Sequence, residues 1–165
     1  VFTEMIETLC TDLFAKRLVT KACTWWVCYD YKSLDHCPYY NGPVSVDFYG
    51  RLHPRHNNGT VRLPVETNSV RLITEALLRQ FDEKTDHRLL YRRMGVCADN
   101  VTIDMGAYQI NMFVDYDALD RENKLFGAML EIRKKFGSNA VFRGMNLLEG
   151  ATALERASQI GGHKA

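Results

Sequence analysis

At 165 residues, 46% hydrophobic and 25% charged with a net charge of +1, the chain is sized for one domain, or one small domain with an appendage. No run approaches the ~20 apolar residues that span a bilayer, and no basic-then-apolar leader opens the sequence. Five cysteines (Cys10, Cys23, Cys28, Cys37, Cys97) without paired spacing argue against a disulfide framework and for free thiols in a reducing cytoplasm.

In chain order, residues 3–18 set Met5, Ile6, Leu9, Leu13 and Phe14 at helical spacing, with Thr3 as N-cap and Glu4 and Glu7 near the helix start. Residues 22–31 ("ACTWWVCYDY") are aromatic and β-branched, which predicts a strand. "VSVDFYGRLHPRH" reads as a strand running into an exposed basic loop, and "TVRLP" as a short strand closed by Pro64. The clearest helix follows a Thr67, Asn68, Ser69 capping cluster and buries Val70, Ile73, Leu77 and Phe81. Residues 89–101 read as a last strand. The order predicts an α+β fold, an antiparallel sheet with two helices packed on one face and the other face free. Domain 1–101 is followed by a connector over 102–118 and a helical tail over 119–165. In the tail Leu125, Met129, Ile132 and Phe136 form one stripe, Gly137 is a stop, and "TALE" (152–155) is a capping box. The closing "QIGGHKA" reads as flexible.

Near-neutrality hides an asymmetry. Residues 1–50 carry four Lys/Arg against six Asp/Glu, residues 51–101 nine against six, and residues 102–165 eight of each. A basic middle third suits a polyanion, although scattered solvated arginines would give the same count.

Three segments together resemble the Y-family translesion DNA polymerases, in particular the C-terminal part of bacterial UmuC-type members. "DFYGRLHPRHNNGTVRLPVETNSVRLITEALLRQFDEKTDHRLLYRRMGV" is similar to the second half of that family's little-finger domain, whose last strand carries an Arg-Arg pair. "QINMF" (109–113) is similar to the bacterial sliding-clamp-binding pentapeptide. "GMNLLEGATALERASQIGGHKA" resembles the C-terminal signature of Gram-positive relatives.

The resemblance implies a DNA-binding, clamp-recruiting part of an SOS-type repair polymerase, cytoplasmic and nucleoid-associated. It implies phosphate contacts to primer–template duplex, with Arg92 and Arg93 first, then Arg62, Arg88, Arg51 and Arg55. On a regular strand Arg92 and Arg93 point to opposite faces, so at most one lies on a flat surface. Gln109, Ile110, Met112 and Phe113 would occupy an apolar pocket on the clamp. The alternative for that segment is a core strand with Ile110 and Met112 on one face.

The parent polymerase would use Mg held by palm carboxylates, and no cofactor is expected in this piece. Its neighbouring Asp82 and Glu83 have no third carboxylate to make a two-metal cluster. The family's little finger begins with a strand before its first helix, and Val1 comes too late to include it. The gap would be filled by "VTIDMGAY", by a second copy making a homo-oligomer, or by a strand belonging to a longer protein.

Particular residues also raise other classes. A metal at His53 and His56, with His36 and Cys37, matches no finger spacing. A Cys–His nucleophile has no accompanying oxyanion turn. A stand-alone single-strand binder would stack bases on Trp25 or Trp26, one of which must be core.

Overall fold

The computed structural model describes residues 1–106, 114–137, 139–152, 155, 159–160 and 163–164. Helix α1 (Phe2–Ala15) turns Phe2, Ile6, Cys10 and Leu13 inward, and Val1 rather than Thr3 stands at its N-cap. Arg17, in the left-handed region at φ 53°, ends it before residue 18. Strand β1 (Leu18–Tyr29) therefore starts four residues before the aromatic run that announced it. A register shift between Thr20 and Ala22 breaks the alternation there, and the Thr20 hydroxyl donates to the Asp99 carbonyl at 2.5 Å.

A one-turn helix, α2 (Ser33–His36), leads to the β2 (Val44–Val46) and β3 (Leu52–Pro54) hairpin. The expected exposed loop is thus partly paired: Ser45 faces His53, and His53 and Pro54 are buried. Strand β4 (Asn57–Thr67) runs through Pro64 instead of stopping there. It is an edge strand, and its pairing with β1 is irregular between Arg62 and Thr67, where a missing N–H costs little.

Helix α3 (Val70–Lys84) forms as the periodicity predicts, with the Ser69 hydroxyl accepting from the Leu72 N–H. Strand β5 (Tyr91–Asp99) follows, then β6 (Thr102–Ile103), which pairs with Leu18 and Val19 of β1. "VTIDMGAY" so contributes two residues of pairing to the sheet, whose order is β4-β1-β5 with β6 also on β1.

The fold is α+β, with α1 and α3 on one face of an antiparallel sheet. The core lies between them. Trp25 and Val27 of β1 are fully buried with Ile6, Cys10, Ile73 and Leu77, Phe2 stacks on Phe81 at 4.4 Å, and Trp25 meets Phe81 edge-on at 5.0 Å. The Trp25 indole N–H donates to Gln80 at 2.9 Å, across the space that Gly59 leaves by having no side chain.

Helix α4 (Tyr116–Phe136) packs against this body. Its buried side chains are Leu119, Phe126 and Met129, whereas Leu125 and Phe136 are exposed, so the apolar stripe is rotated from the expected one. Glu122 seats on the start of α3, accepting from the Ser69 hydroxyl (2.5 Å) and the Arg71 N–H (3.1 Å). A carboxylate there satisfies donors that a helix start leaves open and faces its positive dipole end.

Gly137, at φ 98°, ends α4 as expected. Beyond it Arg143 approaches the buried Glu7 of α1 at 3.4 Å, as Arg133 does from the last turn of α4 at 4.0 Å, and Thr152 donates its N–H and hydroxyl to Glu4. Residues 153–154 of the capping box lie outside the described residues. At the end Gln159 pairs with Lys164 and Ile160 with His163 in a two-residue ribbon, β7 (Gln159–Ile160) with β8 (His163–Lys164), where no regular structure was expected.

Candidate nucleic-acid interface

Alternation along β1 divides the sheet. Cys23, Trp25, Val27 and Tyr29 face the helices, and Thr24, Trp26 and Cys28 face away. Cross-strand partners share a face, so Asn58, Thr60 and Arg62 of β4 and Arg93, Gly95 and Cys97 of β5 join the outer one. At its centre the Thr24 hydroxyl bonds Thr60 (2.8 Å) and donates to the Asp99 carboxylate (2.5 Å). Trp26 is 40% exposed and lies over Gly95, where an added side chain would begin 2.5 Å from the indole. Of the two tryptophans, Trp25 is core and Trp26 belongs to the outer face.

Arg92 and Arg93 do not diverge as a regular strand requires. Cys28 pairs with Arg93 and Tyr29 with Tyr91, which leaves Arg92 as the extra residue of a β-bulge. Both arginines line one groove of about 230 Å³, closed on its other sides by Tyr31, Asp47, His53 and His56. The imidazoles of His53 and His56 stack at 4.4 Å, and His56 Nδ1 accepts from the Tyr29 N–H at 3.3 Å. Desolvation, then His53 and Arg92, hold the His56 pKa below its ordinary value, which favours the neutral ring in that role.

The remaining arginines are distributed unevenly. Arg51 grips Asp47 through Nε (2.9 Å) and a terminal nitrogen (2.7 Å), and its guanidinium lies over Tyr31 at 4.3 Å and Tyr49 at 5.1 Å. Arg55 is exposed just after β3, its N–H donating to Pro43 at 2.8 Å. Arg88 makes a two-pronged pair with Asp86 at 2.9 and 2.6 Å, which pulls that carboxyl down to about 2. Arg62 is exposed opposite Ala22, six residues along β1 from the Arg93 partner Cys28, roughly 20 Å at ~3.3 Å per residue. The fold therefore gathers Arg92, Arg93 and Arg51, carries Arg55 and Arg88 on flanking loops, and leaves Arg62 at the far end of the sheet.

Gln109, Ile110, Met112 and Phe113 lie outside the described residues. Among the described residues, no group of three or more His, Cys, Asp or Glu is arranged to hold a metal ion. Asp82 reaches His87 at 3.2 Å on an exposed helix end. No helix among the described residues is long and apolar enough to cross a membrane. No sequence pattern ties Tyr31, Asp47, His53 and His56 to the Arg pair; the available signals are the basic count of the middle third and the family resemblance of its last strand.

The sequence model of the impB/mucB/samB family C-terminal domain matches residues 1–112. The chain is 34% identical over 110 residues to DNA polymerase IV 2 of Bacillus subtilis (strain 168), covering 67% of this chain and 26% of that protein. It is 33% identical over 103 residues to DNA polymerase IV 2 of Halalkalibacterium halodurans, covering 62% and 24%. The chain thus spans about a quarter of the length of the curated relatives it matches.

Proposed function

Because the chain belongs to the impB/mucB/samB family of Y-family polymerase C-terminal domains, we propose that it holds primer–template DNA for a translesion polymerase and recruits the sliding clamp. The observation that carries the DNA part is the bulge that opens Arg92 and Arg93 into one groove beside an open sheet face. Two guanidinium groups there suit the phosphate backbone, with Arg55 and Arg62 as outlying contacts. Arg51 and Arg88 are already paired with carboxylates and contribute less.

Phosphate contacts hold a duplex without reading its bases, which is the property needed to process a damaged template. In the same reading, Gln109 to Phe113 enter an apolar pocket on the clamp, and tethering to bound DNA raises the effective concentration of that short motif. Catalytic magnesium belongs to another part of the polymerase, which acts in the bacterial cytoplasm. A second copy pairing along the outer edge of β5 would complete the sheet as a dimer.

The test is affinity for two duplexes of unrelated sequence and equal length. Equal constants support backbone recognition, and a preference of more than about tenfold, the cost of roughly one mismatched contact, contradicts it.

A further inference from the structure

The β2–β3 hairpin ends in an aromatic tip with no partner in the core. Phe48 is 95% and Tyr49 77% exposed, and their rings meet edge-to-face at 5.4 Å. The tip is nevertheless ordered by its own bonds. The Asp47 N–H donates to the Arg51 carbonyl (2.9 Å), the Gly50 N–H to the Asp47 carbonyl (3.0 Å), and the Asp47 carboxylate accepts from the N–H groups of Tyr49 and Arg51. Gly50 sits at φ 77°, a conformation that favours glycine, and so closes the turn.

The tip adjoins the groove. Asp47 and Tyr31 line it together with Arg92 and Arg93, and Arg51 bridges Tyr31 to Tyr49 by lying over both rings. A rigid aromatic pair beside clustered cations is the combination that binds single-stranded nucleic acid, cations following the backbone and rings stacking on bases. The cations specify the occupant. The one carboxylate in the groove, Asp47, is already neutralised by Arg51, so the surface presents net positive charge to whatever the rings touch.

We infer that Phe48 and Tyr49 stack on unpaired bases of a single strand continuing from duplex held at Arg92 and Arg93. The inference rests on the DNA-binding reading above and adds to it a preference for single-strand extensions.

The experiment measures fluorescence anisotropy of three labelled DNAs with this chain: a blunt duplex, the same duplex with a single-stranded template extension, and oligothymidine. Phe48→Ala/Tyr49→Ala is expected to lose roughly tenfold in affinity for the extended duplex and for oligothymidine, and nothing for the blunt duplex. Phe48→Trp is expected to keep wild-type affinity and to show emission quenched by oligothymidine beyond that of the wild type. Unchanged affinity of the alanine variant for all three DNAs, or an equal loss on all three, overturns the inference. So does a finding that the alanine changes abolish self-association of the wild-type chain and leave DNA affinity intact. If wild type binds blunt duplex but binds the extended duplex no more tightly, this inference alone fails. If wild type binds none of the three, the DNA-binding reading fails with it.

Discussion

Arg92 and Arg93, adjacent on an edge strand, line one groove because the pairing of β1 with β5 slips by one residue between Cys28 and Tyr29. On a regular strand only one of them would share a face with Trp26 and Arg62. Replacing either with alanine is therefore expected to weaken duplex binding by a similar factor, about tenfold for a charge-assisted contact. Titration of labelled duplex with each single variant checks this; a loss confined to Arg93→Ala would mean that Arg92 faces elsewhere in solution.

Arg88 makes a contrasting case. Its hydrogen bonds, with side chain first and backbone next, hold the Asp86 carboxyl at about 2, below its ordinary value. A depressed carboxylate contributes stability that is present above the unfolded pKa near 4 and is lost as pH falls through the folded value near 2. The pair is largely solvent-exposed, so the contribution is small. Arg88→Ala is expected to return the Asp86 titration, followed by NMR, towards pH 4, while lowering duplex affinity less than Arg93→Ala does.

The end of α4 and the chain beyond it return to the start of the fold through buried charge. Glu7 is buried on α1, faces Arg133 and Arg143, and among the described residues one of its carboxylate oxygens has no hydrogen-bond partner. Arg143 also lies 5.0 Å over the Phe126 ring. Arg133→Met/Arg143→Met would strand the buried carboxylate and is expected to cost about 3 kcal/mol in urea unfolding. Adding Glu7→Gln should restore most of that loss. A double variant as stable as wild type would show that the two elements do not depend on each other.

For the clamp motif, the wild type is expected to bind a bacterial sliding clamp at about micromolar affinity by calorimetry, and Gln109→Ala/Phe113→Ala to abolish that binding. Retained binding in the variant would move the contact elsewhere. The segment is flanked by attached residues: the Asp104 N–H donates to the Arg17 carbonyl at 2.9 Å, and Val114 is buried with Val65 and Leu119.

What the sequence disclosed depended on how local each signal was. Val70, Ile73, Leu77 and Phe81 announce α3 because one periodic stripe meets one cap, and both are written within 13 residues. The start of β1 was hidden because the irregularity after Thr20 buries Val19 and Thr20 next to each other, which no alternating pattern produces. His53 and Pro54 looked like loop because their burial comes from packing of the hairpin, not from their own hydrophobicity. The α4 stripe was misplaced for a related reason: Glu122 and Arg133 fix which way the helix faces, and charged anchors leave no trace in apolar spacing. The arginines of the site were legible as a basic middle third. Their convergence was not, because it depends on a one-residue slip between strands more than 60 residues apart in sequence.

Backbone recognition of duplex DNA through the Arg92–Arg93 groove is tested by the salt dependence of duplex affinity, measured for wild type and for Arg92→Ala/Arg93→Ala. Each neutralised phosphate contributes about −0.9 to the slope of log affinity against log salt. A steep wild-type slope is expected, shallower by roughly 2 in the double variant. An unchanged slope in the double variant would contradict it and remove the groove from the DNA interface.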